Sequence, residues 1–329
     1  MRHHRATYRR ALAGATGLAL AAALLAGCAG MAEAASASAP ADITIVGTRV
    51  FPESVTSDSA GNVYASSNGG TIYRAPPGAS EATAWIVPNE ENGLSSLFGV
   101  FADETHGVLW ACSNPNLFIK PTPPGPSALK AFDLKTGAFV ASYALPGDGN
   151  ACNDIAVAPD GTIWLSETMK GGIYTLAPGA KALSEFAKGE ELIGIDGLAF
   201  ADDGKLYINN VRQNLVQRVE RKADGSYGGL ATLTLSLPLN GPDGLRSIGG
   251  NRFLQAEGPE GRVALIEVNG DSATVTPVKT GLESSPAVTR VGKVGYASEG
   301  KINYLFDPAL RDKDPGTFMI RAFTLPEEP

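Results

Sequence analysis

The chain has 329 residues, 43% hydrophobic and 19% charged, with 39 glycines, 22 prolines and a net charge of −7. The acidic balance leaves no basic footprint, which excludes nucleic acid and anionic lipid as the main partners. Plentiful Gly and Pro with modest charge suit many short strands joined by tight turns.

Arg2, Arg5, Arg9 and Arg10 open the chain, an apolar run from Ala11 to Leu25 follows, and Leu25-Ala26-Gly27-Cys28 closes the segment. A basic start, a short apolar stretch and small residues before a cleavage point make a secretory signal. The apolar run is too short to span a membrane as a helix. Leu-Ala-Gly-Cys resembles a bacterial lipobox, making 1–27 the signal peptide and Cys28 the lipidated first residue of the mature chain. Cleavage further on, near Ala35 or Ala39, is the other reading, and Arg9-Arg10 as a twin-arginine signal a third. Residues 28–41 read as a flexible linker to a domain at 42–329. The expected location is the bacterial periplasm or, through the lipid, the outer membrane, the anchor being the one membrane contact. Four of the 27 Lys+Arg and none of the 34 Asp+Glu precede Cys28, so the mature chain carries about −11, compatible with binding cations. Cys112 and Cys152 remain, and an oxidising compartment permits a bridge between them; two buried thiols are the alternative.

From residue 53 onward one pattern recurs: a strand, a turn containing Gly, and a strand with an aromatic residue. Glu53 to Tyr64, Gly99 to Trp110, Asn153 to Trp164 and Asp196 to Tyr207 share it, with the turn glycine 8 and the aromatic residue 11 after the first residue. Copies starting at Asp243 and Pro286 have a shorter turn. The first positions, 53, 99, 153, 196, 243 and 286, are 46, 54, 43, 47 and 43 residues apart. Roughly 40–50 residues is one four-stranded propeller blade. The expected fold is therefore all-β, a six-bladed β-propeller with four-stranded blades. Apolar and polar residues alternate before each turn, as in half-buried strands. Ring closure falls to the strand near Ile43–Val46 or to the one near Met319–Leu325, and the sequence leaves both open. The longest spacing contains the proline-rich insertion Asn114–Pro126, expected above the channel mouth either as a substrate lid or as a stiff surface loop.

In such a fold the innermost strands line a channel and their first residues ring one mouth, here Glu53, Gly99, Asn153, Asp196, Asp243 and Pro286. Two carboxylates about 4 Å apart repel by roughly 4 kcal/mol at an effective dielectric near 20. Three of them with a carboxamide call for a cation or protons. Calcium, which takes 6–8 oxygens in adaptable geometry, suits the set of Glu53, Asn153, Asp196 and Asp243; magnesium demands a tighter octahedron. Zinc is disfavoured because no cysteine or histidine falls in the ring. The bland reading is that these side chains only cap backbone groups around a water-filled channel.

Pro52-Glu53, Asn153-Asp154 with Pro159-Asp160-Gly161, Gly197-Leu198-Ala199-Phe200 with Gly204-Lys205-Leu206-Tyr207, and Pro242-Asp243-Gly244-Leu245 occur in this order. In that order they resemble the senescence-marker-protein/gluconolactonase/luciferin-regenerating group of six-bladed propellers. The resemblance implies a calcium or similar divalent ion on these residues and hydrolysis of lactones or other esters. The chain departs from the group at Asp196, often Asn there, and at Ala151-Cys152, where sugar-lactone members often carry an arginine. A sugar acid lactone is therefore in doubt.

His106 is the one histidine after the signal and lies beside the second-blade turn, which removes a Ser-His-Asp triad and a histidine base at the channel mouth. The sequence has no Gly-x-Ser-x-Gly elbow and no P-loop. An enzyme built this way works with metal and carboxylate: the ion polarises a carbonyl, Asp243 is the general base, and Glu53, Asn153 and Asp196 hold the ion. Asn114, Glu167, Asn210, Arg212 and Glu257 are expected near the rim as supporting or substrate-contacting residues. The expected partner is a small-molecule substrate and the expected state a monomer. The rival readings are an exported ligand- or protein-binding propeller with a structural metal ion, and a related propeller of condensing or lyase type.

Overall fold

A computed structural model of the chain describes residues 40–116, 118 and 125–327. The expected signal peptide, Cys28, most of the 28–41 linker and residues 117 and 119–124 of the proline-rich insertion lie outside the described residues.

Short strands fold into antiparallel meanders. The first comprises Val55–Ser57, Val63–Ala65, Ile72–Ala75 and Glu81–Ile86. The second comprises Ser96–Asp103, Val108–Asn114, Ala128–Asp133 and Phe139–Ala144. Cys152–Val157, Ile163–Glu167, Gly172–Leu176 and Ser184–Lys188 make the third. Ile195–Phe200, Leu206–Asn210, Leu215–Arg221 and Tyr227–Thr232 make the fourth. The fifth holds Pro242–Ser247, Arg252–Glu257, Arg262–Asn269 and Ser272–Lys279, with Thr234–Leu235 added in parallel at its outer edge. The last runs Val288–Val291, Val294–Ser298 and Phe318–Thr324. Among the described residues, helix is confined to a 3-10 turn at Glu190–Leu192 and the four residues Asn303–Phe306.

Both candidate strands close the structure. Ile43–Ile45 pairs antiparallel with Phe318–Thr324, Ile43 opposite Ile320 and Ile45 opposite Phe318. On its other side it meets Glu81–Ile86 in parallel, Thr44 opposite Glu81, so the first and last meanders join in one eight-stranded sheet. Asp42 reinforces the seam with an ion pair to Arg321 at 2.9 Å.

The core lies between consecutive meanders, which is why the strands are buried on both faces; all five residues of Ile163–Glu167 are buried. Trp110, Cys112 and Leu129 pack against Ile155, Leu165 and Tyr174. Phe51 and Tyr73 pack against Phe318 and Ile320, bringing the first meander onto the last. The innermost strands touch in order around the chain and back to Val55–Ser57. Sheets packed face to face around a common axis in this way define a β-propeller. Cys112 and Cys152 form a disulfide, Cα–Cα 5.2 Å, that ties the second meander to the third.

Candidate functional site

The innermost strands start with a shared irregularity. Ladder pairing skips two residues between Leu97 and Val100, Cys152 and Ile155, Ile195 and Leu198, and Pro242 and Leu245. A bulge re-aims a side chain out of the ladder. Phe98, Asn153, Asp196 and Asp243 thereby line one cavity, together with Glu53 and Pro286 from the first and last meanders.

In the third, fourth and fifth meanders the backbone freed by the bulge is held by polar side chains of second strands. Ser166 Oγ accepts from Asp154 N (2.9 Å) and donates to Asp196 O (2.6 Å). Asn209 Oδ1 accepts from Gly197 N (2.9 Å), and its Nδ2 donates to Asp243 O. Gln255 Nε2 adds a donation to Asp243 O at 3.1 Å. The ring residues are thus fixed through their own main chain.

The second meander departs from the repeat spacing at Gly99, which is not the ring residue. The hairpin from Val100 to Ala111 is one residue longer than its counterpart from Ile155 to Leu165. Counting back from Gly107 therefore lands on Gly99, whereas the ladder puts Phe98 in register with Asn153, Asp196 and Asp243. Gly99 has a different duty: a Cβ there would collide with the Asn153 carbonyl oxygen of the next blade. At Gly197 a Cβ would lie 2.6 Å from Asp243 O. Neighbouring inner strands approach backbone to backbone, and a side chain at either position would push a ring residue aside.

Four of the ring residues form one electrostatic unit. Asn153 Nδ2 donates to Asp196 Oδ2 (2.9 Å) and to Thr168 Oγ1 (2.6 Å), so the amide's uncommitted capacity is its acceptor oxygen. Asp196 and Asp243 hydrogen-bond each other through their carboxyls. Burial, then the charges of Asp196 and Asp154, raise the Glu53 carboxyl well above the usual range. Burial, then Asp196 and Glu53, do the same to Asp243. Asp196 is pushed up to about 7 by burial and by Asp154, against the lowering effect of its hydrogen bonds and of Arg246.

Beneath the ring lies a buried ion pair. Arg246 Nη1 donates to Asp154 Oδ2 at 2.7 Å, and Nη2 reaches Val100 O at 3.3 Å. Asp154 Oδ1 accepts from Ile155 N (2.9 Å). The pair is internally neutral, so the ring carboxyls above it lack a counter-charge of their own. Three carboxyls and one carboxamide oxygen, Asp196 and Asn153 buried and Glu53 and Asp243 half-buried, are all hard donors and fit a divalent cation in chemistry and number. Their hydrogen bonds run between one another, and among the described residues no three His, Cys, Asp or Glu side chains form a ready-made metal cage.

The cavity over the ring has a volume of about 390 Å³, and its upper walls are Ala151, Phe118, Thr168, Met169, Ile302 and Phe306. Asn114, Glu167, Asn210, Arg212 and Glu257 are not among its lining residues. Asn114 donates to Cys152 O and accepts from Cys152 N, both 2.9 Å, bracing the disulfide. Glu167 accepts from Ala151 N, Met169 N and Lys170 N at 2.9–3.0 Å. Asn210 accepts from Arg212 N and Gln213 N (3.1 Å each). Glu257 accepts from Asn240 N (2.7 Å) and pairs with Arg262. Asn114 thus holds the start of a strand and the other three hold loop backbone; Arg212 is exposed. His106 bonds Asp103 (2.8 Å) at the end of the strand opposite to Phe98.

Sequence reasoning did not single out Phe98, Arg246, Ile302 or Phe306. Arg246 was detectable, being a charged residue on an innermost strand. Ile302 and Phe306 sit in the 299–317 connection of the last meander, where no following repeat exists to reveal an over-long spacing.

A family model described as strictosidine synthase-like, N-terminal, matches residues 41–75, the closing strand and the first three strands of the first meander with Glu53. No curated protein matches the chain. Among solved structures, the allergen Mala s 1 of Malassezia sympodialis is similar at 13% identity and TM-score 0.65, covering 86% of this chain and 96% of its own. Luciferin-regenerating enzyme follows the fold at 15% identity and TM-score 0.60, over 85% of this chain and 93% of its own. Regucalcin of Agrobacterium tumefaciens, a calcium-binding protein, does so at 18% and 0.57, over 88% and 99%. The chain thus resembles the senescence-marker-protein/gluconolactonase/luciferin-regenerating group in fold as well as in motif order. At these identities the likeness is one of fold, and fold alone does not carry function.

Proposed function

We propose that the chain is a six-bladed propeller, the eight-stranded sheet counting as two blades, and a divalent-metal-dependent hydrolase of a lactone or other ester. The observation that carries this is the set of Glu53, Asp196 and Asp243 lining one cavity, with proton affinities raised by desolvation and by neighbouring carboxylates. Glu53, Asn153, Asp196 and Asp243 would hold a hard cation such as calcium, whose chemistry at the site is Lewis-acid polarisation of a carbonyl.

Asp243 is the general base. Burial, then the charges of Asp196 and Glu53, raise its proton affinity, and a stronger base accepts a proton with more driving force. Asn209 and Gln255, bonded to Asp243 O, fix the main chain from which that carboxyl projects. Asn153 orients Asp196, and Thr168 orients Asn153 while donating to Ile195 O (2.6 Å). Arg246 holds Asp154, keeping its negative charge from adding unopposed to the ring. Export, the anchor at Cys28, a monomeric state and a small-molecule substrate belong to the same reading.

The match at 41–75 favours a second reading, a non-hydrolytic propeller of condensing type on the same carboxylates. A lactone and ester panel separates them. Hydrolysis should vanish with EDTA and return with calcium, and Asp243→Asn should fall by about 10²–10⁴-fold while remaining folded. An Asp243→Asn protein as active as wild type removes the assigned base. Absence of turnover across the panel, with calcium still raising the melting temperature, leaves a binding protein or the condensing reading.

A further inference from the structure

We propose that the cavity above the carboxyl ring takes substrates with an apolar acyl or aryl group, selected by Phe98, Phe118 and Phe306. The words acyl and aryl rest on the hydrolytic reading; the apolar character does not.

Three aromatic rings form a continuous wall. Phe118 stands 6.3 Å from Phe98 and 5.1 Å, edge to face, from Phe306. Phe306 is 62% exposed and Met169, on the same cavity, 48%; the other large exposed apolar residues among those described are the valines 46, 87 and 140. Contiguous apolar surface left open to water marks a binding groove, whereas a lone exposed valine needs no explanation. Phe306 is held there by its own turn. Tyr304 and Leu305 pack inward on the core between the first and last meanders. Lys301 pins the same connection, its Nζ donating to Pro315 O (2.7 Å) and pairing with Glu283 (3.3 Å). With its neighbours anchored inward, Phe306 faces the cavity at the expense of its own burial.

Among the described residues the upper walls also offer few polar groups for a polyhydroxylated substrate. The one hydroxyl among the described wall residues, Thr168 Oγ1, already donates to Ile195 O and accepts from Asn153. Sugar hydroxyls entering here would give up water without replacement partners, which is costly. A volume near 390 Å³ is within the usual range for small-molecule sites, about 300–1,000 Å³.

Two measurements test this on the full mature chain loaded with calcium. The first uses a neutral apolar fluorophore, N-phenyl-1-naphthylamine, and reads binding without turnover. Wild type should bind it, Phe306→Asp should weaken binding by about tenfold, and Val140→Ser, at an exposed valine elsewhere, should leave it unchanged. Phe118→Ser repeats the test from the other side of the wall, with melting curves confirming that each variant folds. The second compares 4-nitrophenyl acetate, butyrate and hexanoate with glucono-δ-lactone. Each added methylene should raise kcat/KM about threefold to fourfold, and the sugar lactone should trail the hexanoate by about 100-fold or more. Fluorophore binding that is absent, or indifferent to both Phe306→Asp and Phe118→Ser, overturns the inference, as does a preference for the sugar lactone. Binding lost on Phe306→Asp with no ester turned over supports the apolar site and sinks the hydrolase reading instead.

Discussion

Replacing Asp196 by Asn removes one of three mutually facing carboxyls while keeping an oxygen able to accept from Asn153. The structure gives the size of the effect. Asp196 has its carboxyl pushed from 3.8 to about 7 by burial and by Asp154. A carboxyl whose pKa is raised on folding is bound to its proton in the native state when the unfolded chain has released it. Its protonated form carries no penalty below pH 4, and stability then falls as pH rises toward the folded value. At 1.36 kcal/mol per unit, Asp196 alone accounts for a loss on the order of 4 kcal/mol by pH 7, most of it between pH 5 and 7. Urea denaturation in EDTA should show wild type losing stability over that window and Asp196→Asn losing distinctly less. Calcium should reverse the ranking at pH 8, stabilising wild type more than the variant, because a cation compensates the charges that protons no longer neutralise. Identical pH profiles for the two proteins in EDTA would refute the claim that Asp196 faces uncompensated carboxyls.

Two further predictions concern the scaffold. Reducing the Cys112–Cys152 bridge, 40 residues apart, or replacing both cysteines by Ala should cost about 4 kcal/mol in the loop-closure account, seen as a lower melting temperature. Gly197→Ala should destabilise by about 2 kcal/mol or more and reduce turnover with it, because the new Cβ meets Asp243 O and Leu245 N. A variant as stable and active as wild type would show that the inner strands are not packed backbone to backbone there.

The order and spacing of the hairpins determined the all-β meanders, since alternation and turn glycines are local properties that each copy states for itself. The same local repetition brought Glu53, Asn153, Asp196 and Asp243 to equivalent strand starts, and the structure lines one cavity with all four. It misplaced the second-blade member by one residue because a hairpin can lengthen without altering its glycine and aromatic markers. Only tertiary structure decided that Phe98 occupies that place, since register is set by the ladder with the partner strand. The sequence left closure open between two termini, and the fold used both, because one strand at 43–45 can satisfy Phe318–Thr324 on one edge and Glu81–Ile86 on the other. Asp154 and Arg246 are 92 residues apart, and Phe118 and Phe306 are farther still. Pairs so distant leave no periodic trace in the chain; they meet because a closed ring of sheets brings residues of distant inner strands and connections to the same axis.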